Sequence, residues 1–224
     1  MNIVPAILTY SFEEVKEKLS RLEGLVTHVQ IDVCDGVFGM YKTWLPEGED
    51  GAEVLSSDFT YQFDVMVDDW RVYIPRCLAH KASSIVAHVD MFSDQDLADL
   101  VAMVSPATIP LGISVSNDKD VELHAEAIRK IQTMYPNVFI QVMGIPHVGA
   151  QGQFFDEQAP VRVKALKQQF SNLLIQVDGG MRPETVASVV HSGAETVVVG
   201  SFLFASSDIG SALKKLELLE CNSI

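Results

Sequence analysis

Three aspartates stand inside or directly after apolar, β-branched segments of the sequence: Asp32, Asp64 and Asp178. A carboxylate in such a segment is costly to bury unless it is paired or functional. If the segments are parallel strands of one barrel, their carboxyl ends meet at a single mouth and the three side chains converge there. Three such acids on different strands that meet at one mouth indicate a functional site rather than three separate strand-end caps.

Gln30 stands two residues before Asp32 and therefore on the same face of a strand. Its carbonyl and the three carboxylates would form an all-oxygen ligand set, which favours Mg²⁺ or Mn²⁺ over Zn²⁺. Two carboxylates about 5 Å apart repel each other by roughly 3 kcal/mol at an effective dielectric constant of about 20. The three acids therefore need either a divalent metal ion or a proton on at least one of them, and both alternatives are open.

Two glycine-bearing turns follow the last two apolar segments, and a helical stretch that begins at Pro183 separates them. In a (β/α)8 barrel, the loops after the seventh and eighth strands often bind a phosphate through backbone N–H groups. These two turns contain Gly179, Gly180, Gly200 and Ser201, and Gly149 or Gly152 in the loop after the sixth strand would add a third side. Taken singly, each glycine is also typical of an ordinary turn.

Other side chains near strand ends face the same mouth. His88 ends the fourth strand, where it would hydrogen-bond substrate hydroxyls or serve a structural role. Met66 and Met143 end the third and sixth strands, where they would line a substrate pocket or fill the barrel core.

Eight candidate strands alternate with helical patterns along the 224 residues. Their predicted ranges are 3–8, 28–33, 61–67, 84–89, 110–115, 138–142, 173–177 and 196–199. Near-continuous apolar runs are typical of parallel strands that are covered on both faces. The pattern predicts an α/β protein, a (β/α)8 TIM barrel in which residues 1–224 form a single domain.

Local signals place some element boundaries. Ser11 is predicted to cap the first helix in a capping box with Glu14, and Asn117 to cap the helix that runs to Met134. The longest predicted loop is 37–57, for which a lid over the mouth and a mobile surface loop are alternatives.

The net charge of −14 argues against nucleic acid and anionic membranes as partners, so a phosphate would have to be held by local backbone dipoles. The three cysteines are widely spaced, and the sequence shows neither a signal peptide nor an apolar run of about 18 residues. These features favour a cytoplasmic protein. The apolar residues on the helices are compatible with a homo-oligomer and with ordinary packing on the barrel.

Nearly the whole chain resembles the ribulose-phosphate 3-epimerase family. The most specific segments are Ile31-Asp32-Val33-Cys34-Asp35-Gly36, Val177-Asp178-Gly179-Gly180 and Val199-Gly200-Ser201. The resemblance implies an isomerase of carbohydrate (pentose phosphate) metabolism that inverts carbon 3 of a ketose phosphate such as ribulose 5-phosphate. It also implies that Asp32 and Asp178 are the acid–base pair on opposite faces of an enediolate and that both bind a divalent metal.

The metal-binding part of the family pattern is altered in this chain. Gln30 and Asp64 stand at the positions of the two metal-binding histidines of the family, and Ala6 replaces a serine near the reacting centre. An amide and a carboxylate therefore replace the two imidazole ligands. A metal-dependent site and a site without metal both remain compatible with the sequence.

Three functions are compatible with these residues. The first is a sugar-phosphate 3-epimerase that acts on a small phosphorylated sugar. The second is a phosphate-binding barrel that is non-catalytic or has altered specificity, which the missing histidines and Ala6 favour. The third is a lyase or decarboxylase of the related barrels, although Met66 stands where their strand-three motif has a lysine.

Overall fold

The computed structural model describes residues 1–39, 41–48, 51, 53–90, 92–116, 120–148 and 152–221. Eight parallel strands form a closed barrel in sequence order, with β1 paired to β8. The strands are β1 (Asn2–Ile7), β2 (His28–Cys34), β3 (Thr60–Met66), β4 (Ser84–His88), β5 (Leu111–Val115), β6 (Val138–Met143), β7 (Ile175–Asp178) and β8 (Thr196–Val199). The predicted (β/α)8 TIM barrel is confirmed, and every predicted strand agrees with the observed one to within two residues at either end.

Helices connect the strands and pack against the outside of the barrel. They are α1 (Phe12–Ser20), α2 (Trp70–Ala79), α3 (Asp94–Val104), α4 (Val121–Met134), α5 (Ala159–Gln169), α6 (Pro183–His191), α7 (Ser201–Phe204) and α8 (Ile209–Cys221). Within the described part of the chain, none of these helices is long and apolar enough to cross a membrane.

Caps were predicted from the sequence for two helices, α1 and α4, and the structure agrees with one of them. Ser11 Oγ accepts a hydrogen bond from the Glu14 N–H at 3.3 Å, which confirms the cap of α1. The Glu14 carboxylate, however, accepts from the Tyr10 N–H rather than from Ser11, so the capping box is shifted by one residue. The cap of α4 is Asp120, which accepts from the Glu122 N–H at 3.1 Å, whereas Asn117 lies outside the described residues.

The connection between β2 and β3 contains no helix in its described residues, 35–39, 41–48, 51 and 53–59. Trp44 anchors this segment, because its ring lies 5.4 Å from that of Phe12 on α1 and its Nε1 donates to Glu53 at 2.8 Å. Whether the segment closes over a ligand stays a prediction.

The main apolar core lies between the barrel and its helices. Ile31, Phe63 and Ile140 are fully buried there, and burial of each such side chain stabilises the fold by about 1.5–3 kcal/mol. Successive residues of a strand face opposite sides of the sheet. The neighbours of these outward-facing apolar residues along each strand therefore face the barrel interior. Those inward positions hold polar side chains, among them Gln30 and Gln62, so the barrel interior can carry a hydrogen-bonded network.

Candidate active site

Asp32, Asp64 and Asp178 converge at the carboxyl-terminal mouth of the barrel. Asp32 and Asp64 are register partners on β2 and β3, and Asp178 is the last residue of β7. One carboxylate oxygen of each residue lies within 4.8 Å of those of the other two. Asp64 is fully buried and Asp32 is only 7% exposed, so the acids interact in a poorly solvated environment.

Gln30 acts as a hydrogen-bond donor between two of these acids. Its Nε2 donates to Asp32 Oδ1 at 2.8 Å and to Asp178 Oδ2 at 2.7 Å. Its Oε1 accepts from Gln62 Nε2 at 2.6 Å, so the carbonyl points away from the carboxylates. In this orientation Gln30 offers the aspartates an N–H group and offers a metal ion no oxygen.

Asp64 is held by a different pair of side chains. Its Oδ1 lies 2.8 Å from His88 Nε2, and its Oδ2 accepts from Gln141 Nε2 at 2.8 Å. The carbonyl of Gln141 accepts in turn from Gln176. Both oxygens of Asp64 and one oxygen of each of the other two aspartates therefore already have a side-chain nitrogen partner.

The close approach of the acids shifts their protonation. Burial raises the pKa of Asp32 well above its usual range, and the charges of Asp178 and Asp64 raise it further. Burial, followed by the charge of Asp64, raises the pKa of Asp178 to about 7. Burial lowers the pKa of His88, but the charge and the hydrogen bond of Asp64 outweigh burial, so the net shift is upward. In the absence of a metal ion, these shifts favour a proton shared among the acids at neutral pH.

His88 contacts Asp64 and does not line the cavity at the mouth. Its Nδ1 is buried and has no hydrogen-bond partner among the described residues, and the same is true of the hydroxyl of Ser114, its register partner on β5. The ring of Phe38 packs edge-on against the imidazole, with 5.3 Å between the ring centroids. The predicted contact of His88 with substrate hydroxyls stays a prediction.

A cavity at the mouth joins the acids to the glycine turns, and Asp32 and Asp178 both line it. Of the residues predicted to bind substrate, those that line this cavity are Met66, Met143, Gly152, Gly179, Gly180, Gly200 and Ser201. Gly149 lies outside the described residues. Gly179 and Gly180 have φ angles of 103° and 67°, which glycine adopts without the steric cost that a side chain brings. The glycine turns after β7 and β8 and two of the aspartates therefore border one cavity.

A larger cavity of about 650 Å³ opens at the opposite end of the barrel. Gln62, Ser84, Gln176 and Thr196 are among the residues that line it, and none of its described lining residues is Asp or Glu. Active sites of TIM barrels lie at the carboxyl-terminal mouth, and the acids are there. The chemistry of the lining residues, and not the volume, identifies the candidate site.

The three carboxylates fit a divalent metal ion such as Mg²⁺ or Mn²⁺, because such ions prefer oxygen ligands and the three oxygens lie within 4.8 Å of one another. Gln30 was also predicted from the sequence to be a metal ligand, but its amide nitrogen faces the carboxylates of Asp32 and Asp178. The donor set that the geometry supports is therefore Asp32, Asp64 and Asp178.

Three more glutamines belong to the hydrogen-bonded network that reaches the acids: Gln62, Gln141 and Gln176. None of them was predicted from the sequence, although a repeated spacing marks Gln62 and Gln176. The segments Gln30-Ile31-Asp32, Gln62-Phe63-Asp64 and Gln176-Val177-Asp178 share the pattern Gln-x-Asp at strand ends. Since strand residues two apart face the same side, each glutamine lies one inward position below its aspartate. This repeat was the available signal that several strands contribute amides to one network.

Comparison with known proteins gives a consistent family. A model of the ribulose-phosphate 3 epimerase family matches residues 2–204. The ribulose-phosphate 3-epimerase of Aquifex aeolicus (strain VF5) is 25% identical over 232 residues, which cover 99% of this chain and 98% of that protein. The cytoplasmic isoform of the ribulose-phosphate 3-epimerase of Oryza sativa subsp. japonica is also 25% identical, over 96% of this chain and 92% of its own length.

Among solved structures, the fold is similar to that of a 3-hexulose-6-phosphate synthase. The TM-score is 0.69 at 16% identity, with 98% of this chain and 99% of the other covered. At this level of identity the similarity extends to the fold alone.

Proposed function

The chain belongs to the ribulose-phosphate 3-epimerase family, and from this we propose that it is an isomerase that inverts carbon 3 of a ketose phosphate such as ribulose 5-phosphate. The observation that carries this proposal is that Asp32 and Asp178 reach one cavity from separate strands, β2 and β7. Epimerisation needs two such groups, because the proton leaves one face of the carbon and a proton returns to the other face.

In the proposed reaction, one aspartate accepts the proton from carbon 3 and the electron pair of the C–H bond forms an enediolate with the neighbouring carbonyl. The other aspartate then gives a proton to the opposite face, which inverts the centre. In the reverse direction the two residues exchange roles. Without a bound cation, burial raises the pKa of both Asp32 and Asp178, so one of the two would hold at neutral pH the proton that the other lacks.

The turns after β7 and β8 would hold the phosphate. The chain carries a net charge of −14, so binding of a dianion depends on local groups and not on the overall field. Gly180, Gly200 and Ser201 line the same cavity as Asp178, and the backbone N–H groups of such turns are suited to phosphate oxygens. Met66 and Met143 would supply the apolar wall beside the sugar.

Asp32, Asp64 and Asp178 would hold a divalent metal ion, for which Mg²⁺ or Mn²⁺ is favoured. When bound, the ion supplies positive charge beside the oxygens of the developing enediolate. The residues of the chain position the sugar, hold the phosphate and move the protons.

The proposal is tested by hydrogen exchange at carbon 3. Incubation with ribulose 5-phosphate in heavy water is expected to place deuterium at carbon 3 of both epimers, because the proton held by an aspartate exchanges with solvent between the two transfers. The measurement is mass spectrometry and NMR of the recovered sugars. If neither pentulose nor hexulose phosphates exchange, the proposed reaction is wrong.

Metal binding is tested without reference to activity. Asp64→Asn is expected to weaken Mn²⁺ binding about tenfold or more, since removal of a ligand costs at least as much as the loss of a supporting neighbour. Free Mn²⁺ is measured by electron paramagnetic resonance during titration of protein that was first treated with a chelator. Asp90→Asn is the matched control, because Asp90 is a mostly buried acid outside the triad that bonds Ser116 and His124. Equal Mn²⁺ affinity of both variants and the wild type would contradict this donor set.

The non-catalytic alternative is favoured by the amide of Gln30, which occupies the position of a metal-binding histidine of the family, and by Ala6 in the cavity wall. It predicts phosphate binding without hydrogen exchange, so the heavy-water experiment separates the two functions. The lyase alternative gains no comparable support, because Met66 supplies no positive charge and the likeness to the synthase concerns the fold. The cytoplasmic location and a homo-oligomeric state stay predictions.

A further inference from the structure

Two chains of hydrogen-bonded side chains cross the barrel interior and end at the acids. In the first, Ser84 Oγ donates to Gln62 Oε1 at 3.1 Å, and Gln62 Nε2 donates to Gln30 Oε1 at 2.6 Å. Gln30 Nε2 then donates to Asp32 and Asp178. The second chain runs from Gln176 through Gln141 to Asp64.

The direction of the first chain is fixed at its carboxylate end. A carboxamide can be turned by 180°, which exchanges its donor and its acceptor ends with little change of shape. Because ionised carboxylates only accept, Gln30 presents its nitrogen to Asp32 and Asp178, and its oxygen then faces the nitrogen of Gln62. The hydroxyl of Ser84 donates to the oxygen of Gln62 and holds that amide in place, although a hydroxyl can also accept and does not by itself choose the direction.

We infer that Ser84 and Gln62 are positioning residues that hold the Gln30 amide in place, and that Gln30 in this orientation holds Asp32 and Asp178 at a fixed separation. The inference rests on the proposed function, in which those two acids exchange a proton with carbon 3. One nitrogen at 2.8 Å and 2.7 Å from the two carboxylates ties β2 to β7 across the mouth.

The alternative orientation would have the opposite effect. If the Gln30 amide turned, its oxygen would lie against two carboxylates, and three acceptors would face one another without a donor. Gln30 is fully buried and is not among the described lining residues of either cavity, so water cannot readily compensate for a donor lost at this position. Neither Gln62 nor Ser84 lines the cavity at the mouth, so both act on the acids only through Gln30.

The test compares variants of the first hydrogen-bonded chain of side chains with a matched control. Gln62→Leu removes the donor to Gln30, and Ser84→Ala removes the hydroxyl that holds Gln62 in place. Ser84→Thr keeps a hydroxyl at the same position. Thr196→Val is the control, because Thr196 is also a buried hydroxyl at the opposite end of the barrel but belongs to neither chain.

Gln62→Leu is expected to lower kcat about tenfold or more with KM changed less than about twofold, since hydrogen bonds to charged groups are strong and the phosphate turns are untouched. Ser84→Ala is expected to lower kcat several-fold, and Ser84→Thr is expected to restore it. A purely structural role would instead reduce kcat in Thr196→Val as well and would give no rescue by threonine. Equal kcat in wild type, Gln62→Leu and Ser84→Ala would overturn the inference.

A second readout does not depend on activity. In ¹H–¹⁵N spectra, the side-chain NH₂ signals of Gln30, identified by their loss in Gln30→Met, are expected at low field because each proton bonds a carboxylate. They are expected to move toward ordinary glutamine positions in Gln62→Leu and Ser84→Ala and to stay in place in Thr196→Val. Unmoved signals in Gln62→Leu or Ser84→Ala would overturn the inference. If the wild type shows no exchange at carbon 3 but these signals behave as expected, the proposed function fails and the positioning of Gln30 by Gln62 and Ser84 stands.

Discussion

Asp178→Asn is expected to reduce hydrogen exchange at carbon 3 by roughly 100- to 10,000-fold, the range that general acid–base groups contribute. The amide keeps the shape of the carboxyl group but cannot accept the carbon-bound proton or deliver one. Asp32→Asn is expected to have a similar effect, because epimerisation needs one group on each face. The measurement is deuterium incorporation into ribulose 5-phosphate by mass spectrometry at saturating substrate.

Two controls separate this effect from damage to the site. Affinity for inorganic phosphate, measured by calorimetry, is expected to change by less than about threefold, because the anion is proposed to bind the backbone N–H groups of the turns and not the aspartates. Asp90→Asn, at an acid that bonds His124 at 2.6 Å and lies outside the triad, is expected to keep exchange within about twofold of the wild type. If Asp32→Asn or Asp178→Asn retains exchange within about threefold, the assigned roles are wrong.

Gly144→Ala is expected to have the largest effect on folding and to abolish activity indirectly. A Cβ atom at position 144 would lie 2.2 Å from the carbonyl oxygen of Gly179, which is backbone and cannot move aside alone. Gly144 is also held on both sides, since its N–H donates to the Asp178 carbonyl at 2.6 Å and its own carbonyl accepts from the Asp156 N–H at 2.8 Å. Relief of the clash therefore requires a shift of the turn that carries Asp178 and Gly180.

The expected loss in the free energy of unfolding is about 1–3 kcal/mol or more, as for other overpacked sites. Urea unfolding followed by circular dichroism measures it, and calorimetry is expected to find weakened phosphate binding by the folded fraction. Gly48→Ala is the matched control, because a Cβ atom there would meet no atom within 4 Å, and its effect is expected to stay within about 0.5 kcal/mol. Equal stability of Gly144→Ala and the wild type would show that the turn shifts at no cost.

Much of the fold could be predicted from local features of the sequence. A strand such as β8 (Thr196–Val199) is a short β-branched run followed by Gly200, and this pattern depends only on neighbouring residues. The loop predicted at 37–57 agrees with the absence of a helix from the described residues between β2 and β3, but the anchoring of this loop was less predictable. There the ring of Trp44 packs against Phe12, a contact between segments that are distant in sequence.

The candidate site also has a part that could be predicted from the sequence and a part that could not. The convergence of Asp32, Asp64 and Asp178 follows from strand order and strand period, so barrel closure alone brings the acids together. The role of Gln30 does not follow, because its position is compatible both with a metal ligand and with a hydrogen-bond donor. Its orientation depends on the two aspartates that accept from its nitrogen and on Gln62, on the neighbouring strand, which donates to its oxygen.

The sequence by itself thus determined the barrel, the end of it where the chemistry lies and the residues that reach that end. The tertiary structure decided which oxygen each amide donates to, that His88 binds Asp64, and which residues line the cavity. The physical reason is that strand and turn preferences arise within a few consecutive residues. The direction of a hydrogen bond instead depends on the partner that another strand places within about 3 Å.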